Sequence, residues 1–316
     1  MALPIWPHPE SPFHAGERDA QARAGIDERM DDIGRRIIRA EMPEQHQSFF
    51  AVVLGARDAA GQPWATLLTG SPGFVSSPAA DLLAVAALPA GDDPVAACLV
   101  DGAGVGVLGI ELSTRRRNRL NGIVRGRSDQ GFRVSVEQSF GNCPKYIQKR
   151  ELSAIAASPS DVSRETRSSP ALDDGMRHML RATDTFFIAS AAPARVHDHG
   201  CDVSHRGGLP GFVAVSTDGS TVIWPDFEGN YMFNTIGNLL LEPRAGLVIP
   251  DFVSGDLLHV AGVVEIIWSG PEVVAFEGAE RLVRLRVTAA VMRPRAMPLG
   301  GALLQLSPAL NDTGTW

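Results

Sequence analysis

The string Gly70-Ser-Pro-Gly-Phe-Val75 returns as Gly208-Leu-Pro-Gly-Phe-Val213, 138 residues further on, and Gly122-Ile-Val124 returns as Gly262-Val-Val264 at a spacing of 140. Phe49-Phe50 likewise returns as Phe186-Phe187. Spacing held this constant over so long a run marks one structural unit written twice. Each copy, roughly 46–152 and 176–295, must close its own hydrophobic core, and 44% hydrophobic residues is enough for two.

Within a copy the hydrophobic period is that of strands. Phe49 to Ala56, Trp64 to Thr69, Leu82 to Leu88, Val105 to Leu112, Arg117 to Val124 and Phe132 to Val136 are expected strands, with Asp58-Ala-Ala-Gly61 as a hairpin turn. One helical piece is expected near Pro94 to Val100, and another from Asn142 to about Ala157. The predicted fold class is mainly β: two tandem six-stranded Greek-key or split β-barrels with flanking helices, forming an internal pseudo-dimer, since barrels remove exposed sheet edges. Residues 158–169 are polar and Ser-rich and read as linker. The expected organisation is an arm and helix over 1–45, barrel one over 46–157, a linker over 158–173 and barrel two over 174–316.

Residues 1–15 are proline-rich and read as an extended arm. From Gly16 to Met42 charges interleave with Ile26, Met30, Ile33, Ile37 and Ile38 at helical spacing, predicting one amphipathic helix that ends before Pro43 and covers a sheet. His14, Glu17 and Gln21 near its start read as a solvated face, with a site role as the alternative.

A net charge of −7 argues against nucleic acid or an anionic membrane surface as the main partner. Cys98, Cys143 and Cys201 stand far apart, so neither a disulfide framework nor a zinc knuckle is indicated, and Cys143 reads as a small hydrophobe. With no secretory leader and no apolar run of membrane length, the expected location is the cytoplasm. His197-Asp198-His199-Gly200-Cys201 could be read as a metal site, but it stands where copy one has its Asp58 turn, and a hairpin tip is the simpler reading. There is no Gly-x-Ser-x-Gly elbow, Walker loop or Rossmann glycine pattern.

Chemistry concentrates between Cys201 and Asn238. Ser204, His205, Arg206 and the backbone of Gly207 and Gly208 combine donor groups with close backbone access, as a bound phosphate requires. Arg206 is the first candidate, because a guanidinium fork matches phosphate oxygens and keeps its charge. Asn230, Asn234 and Asn238 are four residues apart, so one helical face could offer amides to a ligand, or they could serve as caps. Trp224 and Asp226 could bound a ligand, and Trp224 reads equally as core.

The run Asp202-Val-Ser-His-Arg-Gly-Gly-Leu-Pro-Gly-Phe-Val213, followed by Trp224-Pro-Asp226, Gly229-Asn230, Gly237-Asn-Leu-Leu240 and Pro243-Arg-Ala-Gly246, resembles the pyridoxamine 5'-phosphate oxidase-like FMN-binding split-barrel family. Copy one adds Glu111-Leu-Ser-Thr-Arg-Arg-Arg-Asn-Arg-Leu-Asn-Gly122 and Gln138-Ser-Phe-Gly-Asn-Cys-Pro-Lys-Tyr-Ile-Gln148. The resemblance implies FMN held at the junction of two barrels, usually those of a homodimer. In the family's typical members an Arg-Gln pair and, one strand later, a Gln-Ser pair reach the flavin bound by the other barrel. Here Arg116-Arg117 stands in place of Arg-Gln, and Gln138-Ser139 fits the second pair.

Copy one has Thr66, Leu67, Leu68 and Thr69 where copy two has Ser204 to Gly207, and copy two has Asp256 to His259 where copy one has Arg116 to Arg119. The expected division is that copy two grips the phosphate and copy one supplies the facing wall, with Arg116, Arg117, Asn118, Gln138, Ser139 and Lys145 on that wall and Tyr146 closing it. One FMN per chain follows, an arrangement that a symmetric homodimer cannot make. The expected function is an FMN-dependent flavoprotein oxidoreductase on a small-molecule substrate, with NAD(P)H or a separate reductase as electron partner. A non-catalytic flavin or electron carrier is the alternative, and a protein-interaction scaffold is a third reading. The family oxidase's C-terminal substrate-binding Trp and Arg-x-His pattern is missing around Arg286, Arg293 and Arg295, which implies another substrate. The assembly is expected to be a monomeric pseudo-dimer or a homodimer.

Overall fold

A computed structural model describes residues 6–26, 29–42, 51–155, 165–193 and 201–316. The Phe49-Phe50 repeat element, residues 158–164 of the linker and the candidate metal ligands His197, Asp198 and His199 lie outside those residues.

The first unit contains β1 (Ala51–Arg57), β2 (Pro63–Thr69), β3 (Val75–Ala79), β4 (Leu82–Val85), β5 (Gly104–Glu111), β6 (Arg116–Ser128) and β7 (Gly131–Gly141). The second contains β10 (Thr185–Ala191), β11 (Cys201–Gly207), β12 (Ala214–Val215), β13 (Thr221–Phe227), β14 (Arg244–Pro250), β15 (Leu257–Ile267) and β16 (Ala279–Arg293). Sheet one runs β2-β1-β5-β6-β7-β4-β3 and sheet two runs β11-β10-β14-β15-β16-β13-β12, which is the same order strand for strand. The protein is mainly β, built as two tandem split barrels of antiparallel strands.

The correspondence extends to register. Ala51 faces Thr69 as Thr185 faces Gly207, and Val105 faces Gly122 as Ala245 faces Gly262. Both long hairpins carry a bulge at the same place, before Gly122 and before Gly262. A side chain at either glycine would run into a carbonyl of the neighbouring strand, that of Ser135 or of Arg286, so the repeated glycine is a repeated backbone approach. By this register Phe186-Phe187 corresponds to Val52-Val53, which corrects the Phe-Phe pairing expected from the sequence.

Each barrel has its own apolar core, one around Leu54, Leu83, Val107 and Val134 and the other around Phe186, Trp224, Leu247 and Leu285. A third cluster, including Val53, Leu67, Leu108, Phe187, Val203 and Val248, draws on both sheets and cements them together. At this seam the chain is thinned pairwise. Gly106 backs onto the Cys201 carbonyl, and its counterpart Gly246 backs onto the carbonyl of Pro63, the counterpart of Cys201. Gly55 meets Ala189, its own counterpart, so an approximate twofold axis passes between them.

Three expected elements differ. The single helix over 16–42 is two, α1 (Ala15–Arg23) and α2 (Arg29–Ile37), with Gly25 at φ +71° after the first. The stretch near Pro94 to Val100 is a series of turns, and the expected helix up to Ala157 is β8 (Lys149–Ala154), paired with β17 (Leu299–Gln305). Its partner lies at the far end of the chain, so no local pattern announces it. The remaining elements are β9 (Arg167–Ser169), α3 (Asp174–Ala182), α4 (Asn234–Leu241) and α5 (Pro271–Ala275). Among the described residues no helix is long and apolar enough to cross a membrane, and no cluster of potential metal ligands occurs.

Helix α1 does not present a solvated face. It crosses α4 at two glycines: a Cβ on Gly16 would collide with the Gly237 carbonyl, and one on Gly237 would sit 2.5 Å from the Glu17 nitrogen. Gly237→Ala is therefore expected to lose about 1–3 kcal/mol to overpacking, exceeding the ~1 kcal/mol that alanine gains as a helix former. A lowered urea midpoint checks this.

Candidate functional site

Along β11 side chains alternate, so Ser204 and Arg206 face one way and His205 the other. Ser204 and Arg206 point into a cleft at the seam of the barrels. Arg117 and Arg119 of β6 enter it from the first unit, as do Asn142, Cys143, Lys145 and Tyr146 after β7. The second unit adds Asp226, Arg281 and the segment from Glu228 through Asn230 and Tyr231 to Thr235. The cleft is open to solvent, and its cavity volume is about 110 Å³.

The cleft is rich in guanidinium groups. Asp226 bridges Arg206, at 2.5 Å, and Arg281, at 2.6 Å. Arg119 donates to Ser204 Oγ and lies 3.3 Å from Asp202. Arg117 has no carboxylate partner among the described residues, and its Nε is buried without an acceptor. Burial, then the like charges of Arg119 and Arg206, push the Arg117 guanidinium down to about 9. A half-buried cation facing two more cations is costly unless an anion joins them. The mouth is aromatic, and Tyr146, Tyr231 and Phe233 all hold positive φ, at 67°, 57° and 56°. Such backbone costs of order 1–3 kcal/mol per residue and concentrates at ligand sites. Lys145 closes the rim through Glu228 at 2.7 Å.

Behind the cleft runs a buried polar network. Asn238 donates to Asp202 at 2.9 Å and to Ser190 at 3.2 Å, and Asn121 donates to Asp202 at 2.7 Å. Thr235 donates to Ser204 at 2.8 Å. The N-terminal helix enters the same network. His14 accepts the Gly16 N–H at Nδ1, which leaves Nε2–H to donate to Asn238 Oδ1 at 2.9 Å. Glu17 accepts from Asn234 at 2.5 Å and from the His14 N–H at 2.9 Å, and Gln21 donates to the Tyr231 carbonyl. The expectation of a solvated face for His14, Glu17 and Gln21 is thus corrected: all three fasten α1 to the loop and helix that form the cleft.

The structure brings Ser204, Arg206, Gly207, Asp226, Asn230, Asn234, Arg117 and Lys145 together and places the other candidates elsewhere. His205 lies against Phe187 at 5.6 Å between ring centres, and burial, then Arg117 and Arg206, hold its imidazole well below the ordinary value and neutral. Gly208 donates its N–H to the Asp184 carbonyl, and a side chain there would strike Phe212. Trp224 is fully buried against Phe186 in the barrel core. Arg116 is exposed beside Glu111, and Asn118 faces the barrel-one side near Val52 and Leu83. Gln138 is buried and donates to the Pro12 carbonyl, while Ser139 bridges Arg39. Gln138 thus holds the N-terminal arm and Ser139 the segment after α2. Arg119, Arg281, Thr235 and Tyr231 also line the cleft, and of these only Arg119 has a sequence signal, its alternation with Arg117 on one strand.

The counterpart of this cleft in the first unit is closed. Thr66, Leu68, His259 and Arg293 occupy the positions of Ser204, Arg206, Arg119 and Asn142. Thr66 donates to Asp93 at 2.5 Å, Arg293 binds Asp93 at 2.7 Å and Asp92 at 2.8 Å, and His259 Nδ1 lies 2.9 Å from the Ala65 carbonyl. An internal carboxylate, Asp93, sits among the basic groups of this counterpart, where the open cleft has none for Arg117.

No protein-family model matches the sequence, and no curated protein is similar to it. Among solved structures, a candidate pyridoxamine 5'-phosphate oxidase from Lactobacillus delbrueckii aligns at 16% identity over 39% of this chain and 94% of its own, with a TM-score of 0.31. An FMN-binding protein from Syntrophomonas wolfei aligns at 9% identity over 41% of this chain and 86% of its own, TM-score 0.27. An FAD-binding protein from Mycobacterium smegmatis aligns at 14% identity over 39% and 97%, TM-score 0.26.

Proposed function

We propose that the cleft binds one FMN per chain and that the protein is an FMN-dependent oxidoreductase acting on a small molecule, with the two units acting as copies of one barrel that have divided the labour. The observation that carries this is Arg117: a half-buried guanidinium with no carboxylate among the described residues, beside Arg119 and Arg206, is a site completed by an anion. The residues fit the group. The Ser204 hydroxyl and the guanidiniums of Arg117 and Arg206 suit a phosphate as donors. The mouth, walled by Tyr146, Tyr231 and Phe233, suits a planar ring.

When bound, the flavin supplies hydride or electron transfer. The protein orients it, and the unpaired positive charge of Arg117 favours anionic groups in the cleft. Arg206 must exchange part of its contact with Asp226 for the phosphate, and Arg281 keeps Asp226 compensated while it does so.

Arg206→Ala is expected to weaken FMN binding by about 10- to 150-fold, the value of one charge-assisted hydrogen bond at about 1.5–3 kcal/mol. Quenching of flavin fluorescence on titration measures it. Unchanged affinity would remove the phosphate assignment. A second reading, an electron carrier served by a separate reductase, is favoured by the charged rim of Lys145, Glu228 and Glu280, a surface suited to transient docking. Bleaching of the FMN-loaded protein by NADPH alone, with recovery on adding an acceptor, supports the enzyme; bleaching only when a reductase is added supports the carrier.

A further inference from the structure

Glu17 belongs to neither barrel, yet its carboxyl is buried at 4% exposure beneath the cleft. One oxygen accepts from Asn234, which lines the cleft, and the other from the His14 N–H that begins α1. We infer that Glu17 is a positioning residue of the anion site, acting through the Asn234 amide and across the network to Asp202 and Arg119, so that anion binding and the proton on Glu17 are thermodynamically linked. This rests on the cleft being an anion site.

The charged groups around Glu17 decide the sign. Asp202 of β11 and Arg119 of β6 face it from the sheets, Asn234 faces it from α4, and His14 from its own helix. Burial, then the charge of Asp202, pushes the Glu17 carboxyl up to about 8, against the opposing effects of the His14 N–H, Asn234 and Arg119. A phosphate dianion in the cleft adds negative charge on the same side as Asp202 and draws on the Arg119 charge that partly compensates Glu17. The bound state therefore holds the proton more tightly than the free state, and anion binding takes up a proton once the pH exceeds the free-state value. Below that value Glu17 is neutral in both states and the affinity does not depend on it.

The test measures the affinity of FMN for the full-length protein and for Glu17→Gln at pH 7 and pH 8.5. Over this interval the phosphate is already a dianion, and Arg117 keeps most of its charge. Wild-type affinity is expected to fall about fourfold as Glu17 ionises, while the variant stays nearly level. Calorimetry in two buffers of different ionisation heat should show, at pH 8.5, an uptake per FMN larger in the wild type by most of one proton, over the smaller fraction that Arg117 takes up in both proteins. A readout without ligand accompanies it. Because the folded carboxyl is raised above its unfolded value of 4.5, its contribution to stability is fully present below 4.5 and is lost as the pH rises to about 8. The melting temperature of Glu17→Gln should therefore gain on the wild type between pH 5 and pH 8. Parallel pH profiles for the two proteins, or equal proton uptake by them, overturn the linkage. A wild type that binds neither FMN nor inorganic phosphate overturns the anion-site reading and this inference with it, whereas phosphate-competed FMN binding with parallel profiles overturns the inference alone.

Discussion

Arg117→Met is expected to make the protein more stable and its cleft incompetent. Methionine matches the length of the arginine stem and removes a half-buried cation that faces Arg119 and Arg206 without a carboxylate. Replacing buried charge by a packed apolar side chain is commonly neutral or stabilising by about 1–4 kcal/mol. The lower half of that range applies here, because the charge has repulsion to lose and no ion pair but is only half-buried and reaches solvent in the cleft. The same change removes a donor and a positive charge from the anion site, and affinity for FMN or inorganic phosphate should drop by about 10- to 150-fold. Opposite movements of the urea midpoint and the binding constant are the expected result. A variant that lost both stability and binding would show Arg117 to be a structural residue, and the functional reading would lose its main support.

Arg293→Ala is expected to be the most damaging of the single changes considered, at about 3–5 kcal/mol, because it leaves Asp93 buried and uncompensated. Asp93 is 5% exposed and would keep only the Thr66 hydroxyl and the Val95 N–H. His259 cannot take over readily, since burial holds its imidazole below the ordinary value and so uncharged. The double change Asp93→Leu with Arg293→Met should cost much less than Arg293→Ala, as the buried charges leave together. Equilibrium denaturation of the singles and the double measures the coupling. The closed counterpart thus satisfies its buried charge internally, while the open cleft keeps its charge for a ligand.

Much of the fold is legible because strand periodicity is local. β1, β2, β5, β6 and β7 stand close to where alternating apolar residues and turn residues put them, and the Gly122/Gly262 match lies on the shared bulge. β8 was not legible, because its helical pattern is overridden by a partner about 150 residues away. In the site, the Ser204/Arg206 pair and the Arg117 strand could be found from spacing. Two-residue alternation also turns His205 away and buries Trp224, a consequence that composition alone conceals. Arg281 joins Asp226 across 55 residues, and Glu17 reaches Asn234 across 217, so both contacts exist only in three dimensions.

The β8–β17 ribbon has a consequence for how the chain folds. It joins the tail of the first barrel to a strand that follows the second barrel, so its closure encloses the entire second barrel in one loop and must wait until that strand has been made. The ribbon is therefore expected to form late, and refolding should show a slow phase that disappears when residues 299–316 are removed.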